Sequence, residues 1–465
     1  MVAGHLKRIL KLFGGAGVFL LLAASAPADS ALESHARALA KQAQGDLNGA
    51  IAEENRAVEL NPDYAAAYYT RGLIHARLGQ PAEAIDDLTA AIQHQPDCAP
   101  AYGARADVRR AQGDLLGALV DYNLALLNQA GFTPSQVAAA YAGRAQTRRL
   151  RGDVAGAIAD DTQVLAIDPR NAAALADRAV ARLARADEAG AVADDTLALK
   201  FNPDQAEVYN NRAQARKASG DLSGALLDYN QALDLKPDFV EAWLGRALVK
   251  SLQGDLAGAV ADDTKALGFR PDDALAYYNR GAARQALGDL PGAIGDFNQA
   301  IQLGPDLAYA YRNRGVIRYD AHDLPAAEMD FRKALELNPS LTYVRFRIWL
   351  ARARLGQPDQ ATRELRAYLD GLPPGGPPDW PVLVGRFLAD ELTETDLLAA
   401  AKNLDPAQTA GYRCEALYYA GSKRLVAGDT ATAADFFQKS VATGRHDLQE
   451  YNSAQAELGF LKTGK

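Results

Sequence analysis

Nine arginines and nine acids are the most regular chemistry-bearing residues of this 465-residue chain. Arg37, Arg71, Arg105, Arg144, Arg178, Arg212, Arg246, Arg280 and Arg314 are each followed sixteen residues later by an acid. The acids are Glu53, Asp87, Asp121, Asp160, Asp194, Asp228, Asp262, Asp296 and Asp330. Equal numbers at one spacing imply ion pairs inside the scaffold; a basic strip for an anionic ligand is the alternative. Residues for catalysis show no such order. There is no HExxH, no phosphate-binding glycine loop and no glycine elbow around a serine. His35, His75, His94, His322 and His446 are scattered without ligand spacing. Cys98 and Cys414, the only cysteines, stand far apart in the chain and in neither a metal nor a redox spacing. They are expected to be unpaired, packed thiols. No metal, no cofactor and no enzymatic activity is expected, since residues 376–465 also lack an acid–base or nucleophile constellation.

The elements that must position these residues follow from a repeat. Pro169, Pro203, Pro237, Pro271, Pro305, Pro339 and Pro373 recur at one constant step, and Pro62 and Pro96 keep the same step. The interval from Pro96 to Pro169 is two such steps with a short excess, which places an insertion near Gly131–Val137. Counting from three residues past each proline gives ten units over about 31–375. Each unit reads as two helices. In residues 206–239 the first begins around Tyr209–Ala213 and is broken by Gly220–Asp221. Asp221 is placed to cap the second, which ends at Lys236–Pro237. Pro81, Pro291, Pro325 and Pro358 fall in the first turn of a second helix, where a missing N–H does little harm. Unit position 20 is alanine in all ten copies (50, 84, 118, 157, 191, 225, 259, 293, 327 and 361), marking a close approach of two helices.

This pattern resembles the tetratricopeptide repeat (TPR). Tyr68, Tyr102, Tyr141, Tyr209, Trp243, Tyr277 and Tyr311 match its aromatic position 4, and Gly72, Gly281 and Gly315 its small position 8. The fixed place of the aromatics makes them core residues rather than a ligand-stacking stripe. The arginines at position 7, where the family usually has leucine, depart from it. The resemblance implies an all-α superhelical solenoid of antiparallel helix pairs, with about ten tandem repeats, a C-terminal repeat and a capping helix. Such an array folds as a nearest-neighbour stack. In the family, first-helix positions 2, 5, 6, 9 and 12 line a concave groove that binds protein or peptide segments. Here they include Asn210, Asn211, Gln214, Tyr278, Asn279, Tyr309, Arg312, Asn313 and Tyr319, the candidate partner site of units six to nine. Side-chain amides bond an extended backbone as both donor and acceptor, and tyrosine and arginine are enriched at binding hot spots. Asparagine at position 6 also belongs to a structural Asn-Arg-Gly variant of the repeat. The lysine and asparagine of the family's carboxylate clamp are absent.

Composition changes after Pro373. Leu372–Pro378 reads as a semi-rigid polyproline linker. Short helices are expected through Phe387 and over Thr393–Ala401. The repeat register returns from Cys414, and Leu448–Leu461 is expected to cap the stack. The domain reading is therefore 1–28 signal segment, 29–375 tandem repeats, 376–413 linker with short helices, and 414–465 C-terminal repeat and cap. Trp380-Pro381, Cys414–Gly421, Ala434–Phe437, Val441–Gly444 and Ala456–Leu458 resemble the end of the NlpI-like bacterial lipoproteins. That family comprises outer-membrane adaptors that hold peptidoglycan hydrolases and a processing protease together. The resemblance runs from about Trp380 to the end of the chain, and the array here is about twice as long.

Residues 1–28 have the form of a cleavable export signal, with an uncleaved anchor as the alternative. Lys7, Arg8 and Lys11 precede an apolar run over Leu12–Ala24, shorter than the roughly 20 residues of a membrane span, and Ala26-Pro27-Ala28 offers the cleavage site. Leu22-Ala23-Ala24-Ser25 has a lipobox shape with serine in place of the lipidated cysteine, so no lipid anchor is expected. Removal of these residues, with three bases and no acid, moves the formal charge from −8 to −11. That balance argues against nucleic acid as a partner. The reading is a periplasmic or secreted protein, without stable membrane insertion, that binds other proteins. An adaptor of the cell envelope is the first function class, and a regulatory subunit acting on an envelope enzyme in trans is the second.

Overall fold

The computed structural model describes residues 30–129, 132–373, 379–403 and 408–463, and the regular structure among them is helical throughout. The expected signal segment, Gly131 of the insertion and residues 374–378 of the proline-rich stretch lie outside the described residues. The chain forms two compact units, residues up to Pro237 and residues from Asp238. The first holds α1 (Ala31–Ala43), α2 (Leu47–Leu60), α3 (Ala65–Arg77), α4 (Pro81–His94), α5 (Ala99–Ala111) and α6 (Leu115–Leu127). It continues with α7 (Pro134–Leu150), α8 (Val154–Ile167), α9 (Ala172–Leu183), α10 (Glu188–Phe201), α11 (Ala206–Ala218) and α12 (Leu222–Leu235). The second unit carries α13 (Val240–Leu252), α14 (Leu256–Phe269), α15 (Ala274–Ala286), α16 (Leu290–Leu303), α17 (Ala308–Asp320), α18 (Leu324–Leu337), α19 (Thr342–Arg354) and α20 (Pro358–Asp370). It ends with α21 (Trp380–Leu388), α22 (Glu394–Asn403), α23 (Thr409–Val426), α24 (Thr430–Val441) and α25 (Gln449–Thr463).

The ten expected helix pairs are α1–α2 through α19–α20, each packed against itself and, within a unit, against the next pair. The position-20 alanines are all buried, because the first helix of each pair crosses its partner there. Asp221 accepts from the Gly224 N–H as the cap of α12, and the equivalent aspartates cap α2, α6, α8, α10, α14, α16 and α18. Gln80 and Gln357 make no such bond, and in those two repeats proline occupies the first helical residue. A fixed φ replaces the cap there.

The turn before each cap needs a left-handed residue. Glycine supplies it at 45, 79, 113, 152, 220, 254, 288 and 356, but Ala186 (φ 56°) and His322 (φ 63°) hold the same conformation with a Cβ. The insertion extends α7 by a turn, opened by a capping box between Thr133 and Gln136. The short helices α21 and α22 occupy residues 380–403 and are packed into the fold. Trp380, Val384, Phe387, Leu388, Leu397 and Ala401 are buried in one core with α19, α20 and α23.

Candidate partner-binding site

Scaffold chemistry must first be separated from free chemistry. Each of the nine arginines meets its acid: in repeat six, Arg212 donates from Nε to Asp228 Oδ2 (2.9 Å) and from a terminal nitrogen to Oδ1 (2.6 Å). Seven other pairs repeat this two-pronged contact, and Arg37 reaches Glu53 from Nε while a terminal nitrogen donates to Ser34. Two further sets of contacts were not expected from the sequence. A base at position 11 (Lys41, Arg109, Arg148, Arg182, Arg216, Lys250, Arg284 or Arg318) reaches the same carboxylate at 2.8–2.9 Å. Beyond that, the position-7 guanidinium bonds a side chain of the preceding repeat: Arg71 to Asn55, Arg105 to Thr89, Arg144 to Asn123, Arg178 to Thr162 and Arg212 to Thr196. Arg280 to Thr264 and Arg314 to Asn298 do the same in the second unit. The half-buried position-4 rings lie 4.6–5.7 Å beneath these guanidiniums, a cation–π stack of the kind arginine favours. The ladder is therefore a structural seam, and its cations are consumed by it.

What remains on the first-helix faces is the candidate site. In the first unit, Asn210, Asn211 and Gln214 sit on α11. Asn211 and Gln214 are half-buried, whereas Asn210 is buried and its Oδ1 has no hydrogen-bond partner. In the second unit four expected residues come together across α15 and α17. Arg312 lies 5.2 Å over the Tyr309 ring and donates from Nε to Asn313 Oδ1 at 3.0 Å. Tyr278 faces Arg312 and Tyr309 and is hydrogen-bonded to Asn313; burial raises its hydroxyl pKa above the usual phenol range. Tyr309 is 47% exposed and forms the rim. Asn279 is half-buried beside them on α15. Tyr319 corrects the expectation: it is 1% exposed, beneath the guanidiniums of Arg347 and Arg354, and presents nothing to a partner. Position 12 is covered there because a C-terminal helix packs on it.

Sequence reasoning also missed three buried carboxyls. Position 24 is filled by Leu88, Tyr122, Tyr229, Phe297, Phe331 or Leu365 in six repeats and by Glu54, paired with His35, in the first, but by Asp161, Asp195 and Asp263 in repeats four, five and seven. Each leaves Oδ1 without a partner. Desolvation pushes Asp161 up to about 7 and Asp195 and Asp263 up to about 8. Both cysteines are free thiols, Cys414 buried and Cys98 partly so. Among the described residues no group of histidine, cysteine and carboxylate side chains is placed to hold a metal, and no helix is long and apolar enough to cross a membrane.

Family models described as TPR repeat or tetratricopeptide repeat match residues 39–79, 65–98, 214–254 and 278–342. No curated protein matches the sequence. Among solved structures the chain is similar to YrrB, described as a TPR protein with an unusual peptide-binding site (15% identity, 41% of this chain and 95% of that one, TM-score 0.37). It is also similar to PilW, described as a type IV pilus biogenesis factor (18%, 46% and 96%, TM-score 0.41). Yeast Tom70 aligns over 93% of this chain and 95% of its own, at 18% identity and a TM-score of 0.35.

Proposed function

We propose that this chain, a tetratricopeptide-repeat protein, works as a non-catalytic scaffold of the bacterial envelope that holds partner segments on first-helix faces. The observation that carries this reading is the Tyr278–Tyr309–Arg312–Asn313 cluster. It joins two adjacent first helices, stands outside the arginine–acid ladder and combines a half-exposed ring with a cation, held in place by the buried amide of Asn313. These groups bond an extended backbone and grip an aromatic or acidic side chain in one place. The envelope setting is supported by the export-signal pattern of residues 1–28 and by the NlpI-like motifs from Trp380 onward. An NlpI-like role in gathering peptidoglycan-remodelling factors fits both.

The test is affinity purification from an envelope fraction with the native chain and with Tyr278→Ala/Tyr309→Ala/Arg312→Ala. Helicity of the variant should match the native chain, because none of the three belongs to the ladder. Melting should fall somewhat, because Tyr278 packs on Phe297; Tyr278→Phe/Tyr309→Ala/Arg312→Ala keeps that packing. Loss of the partner from the variant is expected, a drop of roughly tenfold or more when hot-spot residues are truncated. Undiminished recovery would move the site to another face.

A further inference from the structure

In an open stack, first-helix positions 2, 5, 6, 9 and 12 meet solvent or a partner. In repeat ten they are Tyr343, Phe346, Arg347, Leu350 and Ala353, and all but Tyr343 are buried. In the C-terminal repeat Glu415, Tyr418, Tyr419 and Ser422 are likewise buried. Around Phe346 and Glu415 the face is covered by α21 and by α19 packing on α23. Around Arg347 and Arg354 it is covered by the chain's own last helix, α25, which packs not only on α23 and α24, as a cap would, but also back on α17.

The contact is charged on one side and apolar on the other. Arg347, 3% exposed, donates to Ser453 Oγ (3.0 Å) and Glu450 Oε1 (3.4 Å), and the Tyr419 hydroxyl donates to that same carboxylate oxygen (3.1 Å). Arg354 pairs with Glu457 and stands 2.9 Å from His322 Nδ1, whose ring stacks on Phe460. Glu450, Ser453, Glu457 and Phe460 fall at i, i+3, i+7 and i+10, one stripe of α25, while Ala454, Leu458 and Leu461 turn toward the apolar core.

Three features show that the fit of α25 is incomplete. Asp320 Oδ1, His322 Nε2 and Glu457 Oε2 have no hydrogen-bond partner, the last two lying 3.3 Å apart without the alignment of a bond. Four carboxyls (Asp320, Glu415, Glu450 and Glu457) crowd two guanidiniums and one imidazole. His322 also holds a left-handed backbone that every other repeat but the fifth gives to glycine, strain of the kind that accumulates at binding sites. A buried ion pair compensates its own desolvation rather than adding much stability, so the charged stripe fixes register more than it fixes α25 in place.

We propose that the first-helix face of repeats nine and ten is a docking site for an acidic amphipathic helix, and that α25 is its resident, displaceable occupant. The partner helix carries carboxylates two turns apart, a small hydroxyl residue between them and an aromatic one turn beyond. It takes up Arg347, Arg354 and the stacking surface of His322 as α25 leaves. This rests on the reading that first-helix faces receive partner segments, but concerns the C-terminal end of α17 and the face of α19, next to the Tyr278–Arg312 cluster and not the cluster itself.

The probe is a labelled peptide of residues 449–463, followed by fluorescence anisotropy on the full chain. A tethered competitor acts at an effective concentration on the order of millimolar, so the native chain binds the peptide weakly. Glu450→Lys/Glu457→Lys in the chain removes the competitor, and peptide affinity should rise by about tenfold or more. Adding Arg354→Glu to that chain should abolish the gain, as should reversing both acids in the peptide. No gain in a chain of unchanged helicity overturns the proposal. So does a freed chain that dimerises and excludes the peptide, which would assign the face to a second copy. Hydrogen exchange on the native chain tests the same point without substitutions. Residues 449–463 should exchange through an opening that leaves α17, α19 and α23 protected, and exchange only with those helices overturns it. Neither readout uses an envelope partner, so a failed purification leaves both standing.

Discussion

At the scale of single residues, the ladder makes the sharpest energetic claim. Asp228 is buried between Arg212 and Arg216, so Asp228→Ala strands two guanidiniums. Breaking a buried pair costs about 3–5 kcal/mol, against about 0–1 kcal/mol for an exposed one. A double-mutant cycle of Asp228→Ala with Arg212→Ala, read by denaturant unfolding, should give coupling well above the exposed-pair range; zero coupling would contradict the seam. Ala186 offers a stabilising counterpart: a left-handed non-glycine residue costs roughly 1–2 kcal/mol, so Ala186→Gly should raise the melting temperature. Asp161, Asp195 and Asp263 predict a pH dependence. Their folded pKa values lie above the unfolded value, so the native state keeps protons that the unfolded chain has lost. Their contribution is therefore most favourable near pH 4, falls as pH rises to about 7–8, and is flat above. Asp→Asn at all three should flatten thermal stability between pH 5 and pH 8, and an unchanged slope would show that they stay hydrated. The ladder was legible because position 7 departs from the repeat's usual leucine in nine copies. The three buried aspartates were not, because each follows a ladder acid and reads as one more surface charge.

At the scale of elements, period, caps and alanines were enough to draw the helix pairs. Proline spacing ends most second helices and a capping aspartate starts most of them, both being local effects. Two elements were read less well. The short helices of the α21–α22 segment were legible after the Pro/Gly-rich stretch, but not their packing: Trp380 donates from Nε1 to Glu415 Oε2 inside the core. Composition reports backbone stiffness, whereas the packing comes from an apolar face too short to show a helical period. The last helix was legible as a cap but not as the cover of a first-helix face. That role depends on long-range partners, Arg347 with Glu450 and Arg354 with Glu457, more than a hundred residues apart in sequence. Tyr319 was misplaced for the same reason: position 12 faces a groove in the family, and here α25 fills it.

At the scale of the whole molecule, exported location and partner binding are the claims to test. The pattern of residues 1–28 predicts a mature chain that begins at Asp29 and carries no lipid. Amino-terminal sequencing of the exported protein checks it, and an intact Met1 or a product that requires detergent would contradict it. The candidate site was partly legible: tyrosine, arginine and asparagine at fixed positions gave the cluster of the second unit. What sequence could not give is which of them remain exposed once the terminal helix docks. The central claim, that partners bind on a first-helix face of the second unit, is tested most directly by photocrosslinking in the envelope. One chain carries the photoreactive residue at Tyr309 on α17. Another carries it at Met329, which is 70% exposed on α18, the second helix of the same repeat. The account predicts a covalent partner adduct from position 309 and none from 329, and adducts from 329 alone, or equally from both, would contradict it.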